Sequence, residues 1–175
     1  MYKRQAIQLF LPTLNLNDFT LTLGSGTSDL TIQNAVTLNT SSEGINTGAA
    51  DFKLSGLFSS SNGSLSSTGG TISLLGGGGI SGSGELDLTG STWTLGGNFV
   101  KSNGTLTFSQ TDLKLEGNST VTSDEALSFV NLNLNDFKLS LGSSSTDLTV
   151  QNAVLVDTST EGISTGDASF IVQES

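Results

Sequence analysis

The chain says nearly the same thing twice. Asn15–Phe52 aligns with Asn133–Phe170 at an offset of 118 residues without a gap, and 25 of the 38 aligned positions are identical. Shared phrases include NLNDF, DLT(I/V)QNAV and TS(S/T)EGI. A repeat of this length decides the fold before any local signal does. The chain reads as one full unit, residues 15–132, followed by the start of a second, residues 133–175. A unit of 118 residues is either one β-sandwich domain set in tandem or several coils of a solenoid.

The text inside the unit favours coils. Short apolar bursts recur about every seven residues, and every third one defines a series. Leu65, Leu86, Leu106 and Phe129 form the first; Ile72, Trp93, Leu113 and Leu134 the second; Ile80, Phe99, Val121 and Leu139 the third. Each series steps by about 21 residues, as expected when coils stack and bury the same inward positions. Stretches such as Phe19–Leu23, Glu85–Thr89, Thr105–Phe108 and Asp112–Leu115 alternate Leu or Phe with Thr, Asp or Lys, the period of a half-buried strand. Gly and Asn punctuate them, since both tolerate positive φ at corners. Only Thr122–Leu127 resembles a helix start, and it is too short to matter. The expectation is an all-β chain, a right-handed parallel β-solenoid of three strands and about 21 residues per coil, forming a single segment over residues 6–175. The tandem sandwich remains the alternative, supported by Asn62-Gly63 and Asn103-Gly104, which favour hairpin turns. One tension stands: 118 is not a multiple of 21, so the unit calls for five longer coils or six shorter ones.

Met1–Gln5 is set apart. It holds the only Met, the only Tyr and two of the six basic residues. It back-translates as GTG TAT AAG AGA CAG, which resembles a transposon-end adapter used in sequencing libraries, and residues 1–5 are excluded from fold reasoning on that ground. Without them the chain carries 4 Lys, no Arg and 16 acids, a net charge of −12. Such a chain lacks the cations that grip phosphates, so neither nucleic acid nor an anionic membrane surface is an expected partner. Apolar runs are too short for a transmembrane helix.

Gly96–Asp136, GGNFVKSNGTLTFSQTDLKLEGNSTVTSDEALSFVNLNLND, resembles the coils of large bacterial surface and secreted repeat proteins, the filamentous-haemagglutinin-like and autotransporter-like adhesins. The features that match are G-N-F, N-G-T-L-T-F, G-N-S-T and F-x-N-L, and the resemblance covers about half of the chain. It implies a right-handed parallel β-helix on an exported protein, at the cell surface or outside the cell, with no cofactor. It carries over no functional residue.

Candidate chemistry is sparse. His and Cys are absent, which excludes Ser-His-Asp and Cys-His triads and any Cys or Cys/His zinc site. Gly76–Leu88 lacks the Gly-Lys-Ser/Thr of a phosphate loop and the spacing of a calcium β-roll, and reads as a flexible corner or loop. Asn15, Asn17, Asp18 and their counterparts Asn133, Asn135, Asp136 offer oxygen ligands, so calcium is the one cofactor left open; without an EF-hand spacing they read as Asx turns or a stacked ladder. The pairs Glu85/Asp87 and Asp124/Glu125 have the residue types of glycosidase carboxylates. With neither His nor Arg beyond the first five residues to support them, no catalytic, cofactor-binding or metal residue is assigned. Thr20/Thr22, Thr92/Thr94 and Thr105/Thr107 are spaced too irregularly for an ice-binding ladder. Sequons at Asn39, Asn62, Asn103 and Asn118 are expected by chance among 51 Ser and Thr. Trp93 fits a strand centre and is expected to be packed.

Two functions follow as expectations. One is a structural and adhesive stalk segment, not an enzyme, whose contacts with surface carbohydrate or other cell-surface molecules lie outside this segment and whose free ends stack on one another. The alternative is a carbohydrate-binding or carbohydrate-cleaving β-helix domain, which calls for an aromatic or acidic groove along one face.

Overall fold

In the computed structural model the described residues are 7–23, 28–143 and 146–173; the suspected adapter, residues 1–5, lies outside them. Among the described residues nineteen strands, numbered in chain order, wind through about eight coils, and every strand pair is parallel. The coil has three faces. Face 1 stacks β1 (Ile7–Leu11), β3 (Ser28–Ile32), β6 (Phe52–Leu54), β9 (Thr71–Leu74), β11 (Thr92–Leu95) and β13 (Asp112–Leu115). Face 2 holds β4 (Val36–Leu38), β7 (Phe58–Ser60), β14 (Ser119–Thr122), β16 (Lys138–Leu141) and β18 (Gly162–Ser164). Face 3 holds β2 (Thr20–Thr22), β5 (Gly44–Asn46), β8 (Ser64–Ser66) and β19 (Phe170–Val172). Four longer strands turn a corner and serve two faces: β10 (Gly78–Asp87) and β12 (Phe99–Thr107) pass from face 2 to face 3, and β15 (Leu127–Asn133) and β17 (Leu148–Leu155) pass from face 3 to face 1.

Alternation puts one side chain in two into the lumen. β6, β9 and β13 each bury their apolar residues and turn Lys53, Ser73 or Lys114 outward. The lumen is filled by columns of like residues one coil apart: Phe52 on Ile72 on Trp93 on Leu113 in face 1, and Ile45 on Leu65 on Leu86 on Leu106 in face 3. Two of the expected series slip by two residues. Leu113 pairs with Leu132 rather than Leu134, and Phe99 sits on Gly78 while Ile80 lies under Lys101. A two-residue slip preserves which side faces inward, so apolar spacing alone cannot detect it. The first series breaks after Leu106, because no strand pairing joins β12 to β15 there. Trp93 is packed as expected, edge-on to Phe99 at 4.9 Å and against Phe129 at 6.0 Å. Its indole N–H has no acceptor.

The tandem sandwich is excluded by the parallel pairing. Asn103 and Gly104 do take positive φ, 61° and 70°, but inside β12, where they swing one continuous strand around a corner. Gly76–Leu88 is likewise no flexible loop: β10 occupies most of it. Gly77, at φ 74°, faces Asn98 O so closely that a Cβ would approach it to 2.1 Å. Glycine is what lets neighbouring coils close at that corner.

The repeat length also finds its explanation. β2 and its counterpart β16 are fourteen strands apart in order, and three of the strands between, β10, β12 and β15, pass through two faces each. That makes seventeen passages: five coils and two further faces. The unit is neither five long coils nor six short ones, and the second copy is rotated relative to the first. β2 lies on face 3 and β16 on face 2; β3 lies on face 1, while its counterpart in β17 lies on face 3. Local geometry survives the rotation. Phe19 N–H to Leu16 O (3.0 Å) recurs as Phe137 to Leu134 (2.9 Å), and Ser55 N–H to Ile32 O (2.9 Å) recurs as Gln173 to Val150 (2.8 Å).

If the faces are interchangeable, giving the first copy the second copy's inward residue at a buried site, Ile32→Val, will cost only about 0.5–1.5 kcal/mol, whereas Trp93→Ala, which empties the aromatic cluster, will cost about 3–5 kcal/mol. Urea unfolding of both variants checks this ordering; equal losses would show that the columns do not carry the stability.

Candidate functional site

Corner chemistry comes first, because it fixes where outward side chains stand. At Asn15-Leu-Asn-Asp18 the Asn15 side-chain oxygen accepts the Asn17 N–H at 3.1 Å, and Asn17 and Asp18 take φ of 47° and 66°. Asn133 does the same for Asn135 at 2.9 Å, with Asn135 and Asp136 at 48° and 72°. These are Asx turns, as expected. Among the described residues no three His, Cys, Asp or Glu side chains converge as a metal-ligand group.

Elsewhere Asx side chains link coils. Asp29 accepts the Asp51 N–H, Asp51 that of Thr71, Asn98 that of Thr120, Asn118 that of Lys138 and Asp147 that of Ser169, at 2.7–3.2 Å. Each stands where the coil turns and the regular backbone ladder cannot reach, so the side chain supplies the acceptor. Asn118 and Asn62 are therefore engaged: Asn62 donates to Asn39 O at 3.0 Å and accepts from Ser83 at 2.7 Å.

The repeated TS(S/T)EG phrase is a carboxylate cap. Glu43 accepts the N–H groups of Asn39 (2.7 Å) and Thr40 (3.2 Å) with one oxygen. Glu161 accepts those of Asp157 and Thr158, and its second oxygen accepts the Asp136 N–H of the coil below at 2.6 Å. The N–H groups of Thr158, Asp136 and Asp157 hold the Glu161 carboxyl below the usual carboxylate range.

One ion cluster stands out, and sequence reasoning missed it. Lys101 occupies an inward position above Ile80 and is only 5% exposed. Its ammonium meets Asp124 at 2.5 Å and Glu125 at 3.3 Å on the next coil, and Asp124 also accepts the Asn103 N–H at 2.7 Å. The Asp124/Glu125 pair is thus an anchor for a buried lysine. The signal in the sequence was Lys101 itself, a charge at an inward phase of β12. The other pair, Glu85/Asp87, lies on β10, with Asp87 tied to the Thr89 N–H and hydroxyl. Burial pulls the Lys101 ammonium down, but its bonds to Asp124 and Glu125 outweigh this and its pKa is raised; Asp124 is held low by Lys101 first and the Asn103 N–H second.

Face 1 carries stacked outward hydroxyl side chains. Thr71 and Ser73 stack under Thr92 and Thr94 in register, bracketed by Lys53 on the coil below and by Asp112 and Lys114 on the coil above. A shallow trough of about 400 Å³ lies between Lys53, these hydroxyls, Lys114 and Glu116. Lys114 is paired with Glu116 at 2.7 Å. Of the three Thr pairs, only Thr92/Thr94 lies here; Thr20/Thr22 and Thr105/Thr107 lie on face 3, four coils apart, with no hydroxyl-only column between them. Phe52, Phe58, Trp93, Phe99 and Phe129 are buried, whereas Phe10 and Phe19 in the first coil are exposed.

Against protein-family models, curated proteins and solved structures alike, the chain finds no match.

The sign of the pH response follows from these shifts. The carboxylate bonds are complete above the ordinary carboxylate pKa of about 4 and are lost as pH falls through the depressed folded values; the Lys101 contribution is complete below the ordinary lysine value of about 10.4 and is lost as pH rises through its raised folded value. Lys101→Met should make both the acid and the alkaline limb of stability shallower, read as urea midpoints against pH. An unchanged profile would mean that the cluster adds nothing.

Proposed function

We propose that this chain is a rod-forming segment of a long exported repeat protein, a stalk that holds binding regions away from the cell surface and performs no catalysis itself. The observation that supports this most directly is the placement of the repeat. The second copy does not begin a new domain; it continues the same coil stack five coils and two faces further on. A unit of this kind adds length rather than a new globule. At about 4.8 Å per coil, each unit extends the rod by about 27 Å. Surface and secreted adhesins are built on this plan, and the resemblance of Gly96–Asp136 to their coils points to the same setting. The acidic, hydroxyl-rich exterior keeps such a rod soluble. Small-angle scattering on chains of two and four units checks the reading: the longest dimension should grow by about 27 Å per added unit at constant cross-section. Growth in width, as for globules folding back on one another, would end it.

A second reading has one observation in its favour. The stacked hydroxyls of Thr71, Ser73 and Thr92, with the largely buried Thr94 beside them and lysines and an aspartate around them, form a polar trough that suits an extended, hydroxyl-rich polysaccharide. On this reading the stalk also touches carbohydrate along face 1. A glycan array should then show binding that falls at least tenfold in Thr71→Val/Thr92→Val; equal binding by the variant, or none by either, would remove it.

A further inference from the structure

One junction in the interior of the stack is laced less than its neighbours. It lies between the coil of β11 and β12, below, and the coil of β13, β14 and Leu127–Phe129, above. Face 1 is intact there, Thr92–Leu95 running in register with Asp112–Leu115. On face 2 only Phe99 and Val100 find partners, in Val121 and Thr122; one coil lower the pairing runs from Gly78 with Phe99 to Gly82 with Asn103. On face 3 Thr105–Thr107 pairs downward with Glu85–Asp87, but the strand that follows on this face, Leu127–Phe129, pairs only upward, with Leu148–Val150. A corner bond records the same break. Leu23 N–H donates to Asn46 O (2.8 Å), Thr47 to Ser66 (2.9 Å), Ser67 to Asp87 (2.9 Å) and Leu88 to Thr107 (2.8 Å), one per coil. The next in that series, Phe108 N–H, has no acceptor on the coil above among the described residues.

Side chains bridge what the backbone does not. The Phe108 ring lies 5.4 Å from that of Phe129, and at the corner before it Asp124 takes the Lys101 ammonium and the Asn103 N–H. Beside the rings an opening of about 320 Å³ is lined by Leu106, Phe108, Gln110, Ser128 and Gln151. Leu106 is 7% exposed, where Leu65 and Leu86 below it are at 0%. We infer that this junction is a hinge in the rod. Face 3 opens there first, about face 1, which keeps its pairs, so that bending is concentrated at one place in the unit instead of being spread over every coil. Opening costs little because face 3 has no backbone ladder to break at this level. It gives up the contact of Phe108 with Phe129 and, at the corner, the bonds of Asp124. The inference rests on coil stacking alone and holds whether or not the protein is exported or touches carbohydrate.

The test is native-state amide exchange on the whole chain, read by NMR as protection factors. Three amides make the same corner bond across successive junctions between face 3 and face 1: Thr92 N–H to Gly70 O (3.2 Å), Asp112 to Ser91 (3.2 Å) and Val130 to Thr111 (2.9 Å). Asp112 spans the proposed hinge and should be less protected, by about tenfold or more, than both Thr92 below and Val130 above. Glu116, which donates to Leu95 O on the closed side, should stay within about threefold of Gly96, which donates to Leu74 O one coil lower. Phe108→Ala should cost Asp112 a further tenfold or so and leave Thr92 and Val130 unchanged. Protection that rises or falls steadily through Thr92, Asp112 and Val130 is fraying from an end and overturns the inference. So does a loss at Glu116 as large as that at Asp112, since the coils would then part altogether. An alanine variant that weakens all three amides equally, or leaves Asp112 as it was, overturns it too.

Discussion

Everything in this molecule depends on the parallel backbone ladder between coils. A strand three or four residues long has almost no stability alone. Here strands within the stack, such as β9 between β6 and β11, are paired above and below, and the same pairing that satisfies their N–H and C=O groups also sets each inward side chain on the inward side chain of the next coil. Hydrogen bonding and burial are therefore one event. Phe52, Ile72, Trp93 and Leu113 are a core only because their backbones are in register.

At the corners the ladder fails, and side chains replace it. Asp29, Asp51, Asn98, Asn118 and Asp147 carry carboxyl or amide oxygens to N–H groups one coil on, and Glu43 and Glu161 collect two or three N–H groups at a turn. This accounts for much of the acidic and amide content without a ligand. Lys101 is the sharper case. A lysine at an inward position is tolerated because it stands at the corner, where its ammonium reaches Asp124 and Glu125 on the next coil instead of ending among Leu and Phe.

A unit of seventeen strand passages places the same words on successive faces, and this bears on what a rod can do. Each face asks only for alternating apolar and small polar residues with glycine or asparagine at the bends, so a phrase suited to one face suits the others. An outward motif repeated with the unit spirals around the axis rather than lining one side. Contacts made by such motifs come in from different directions, whereas the hydroxyls of Thr71, Ser73 and Thr92 on face 1 are set side by side by neighbouring coils within one unit.

The sequence alone carried the strand character, the three-strand coil of about 21 residues, the parallel solenoid and the inward place of Trp93, because alternation and repeat spacing are properties of the chain read in one dimension. The Asx turns at Asn15 and Asn133 were legible for the same reason: donor and acceptor lie two residues apart. Register was not legible, since sliding Phe99 from Ile80 to Gly78 moves a strand by two residues and leaves every side chain on its proper side. Nor was the rotation of the repeat, which depends on β10, β12 and β15 turning corners without a break. The Lys101 cluster stayed hidden because its partners are 23 and 24 residues away and meet it only when one coil is laid on another. Local chemistry decided what each segment is; stacking decided what each segment touches.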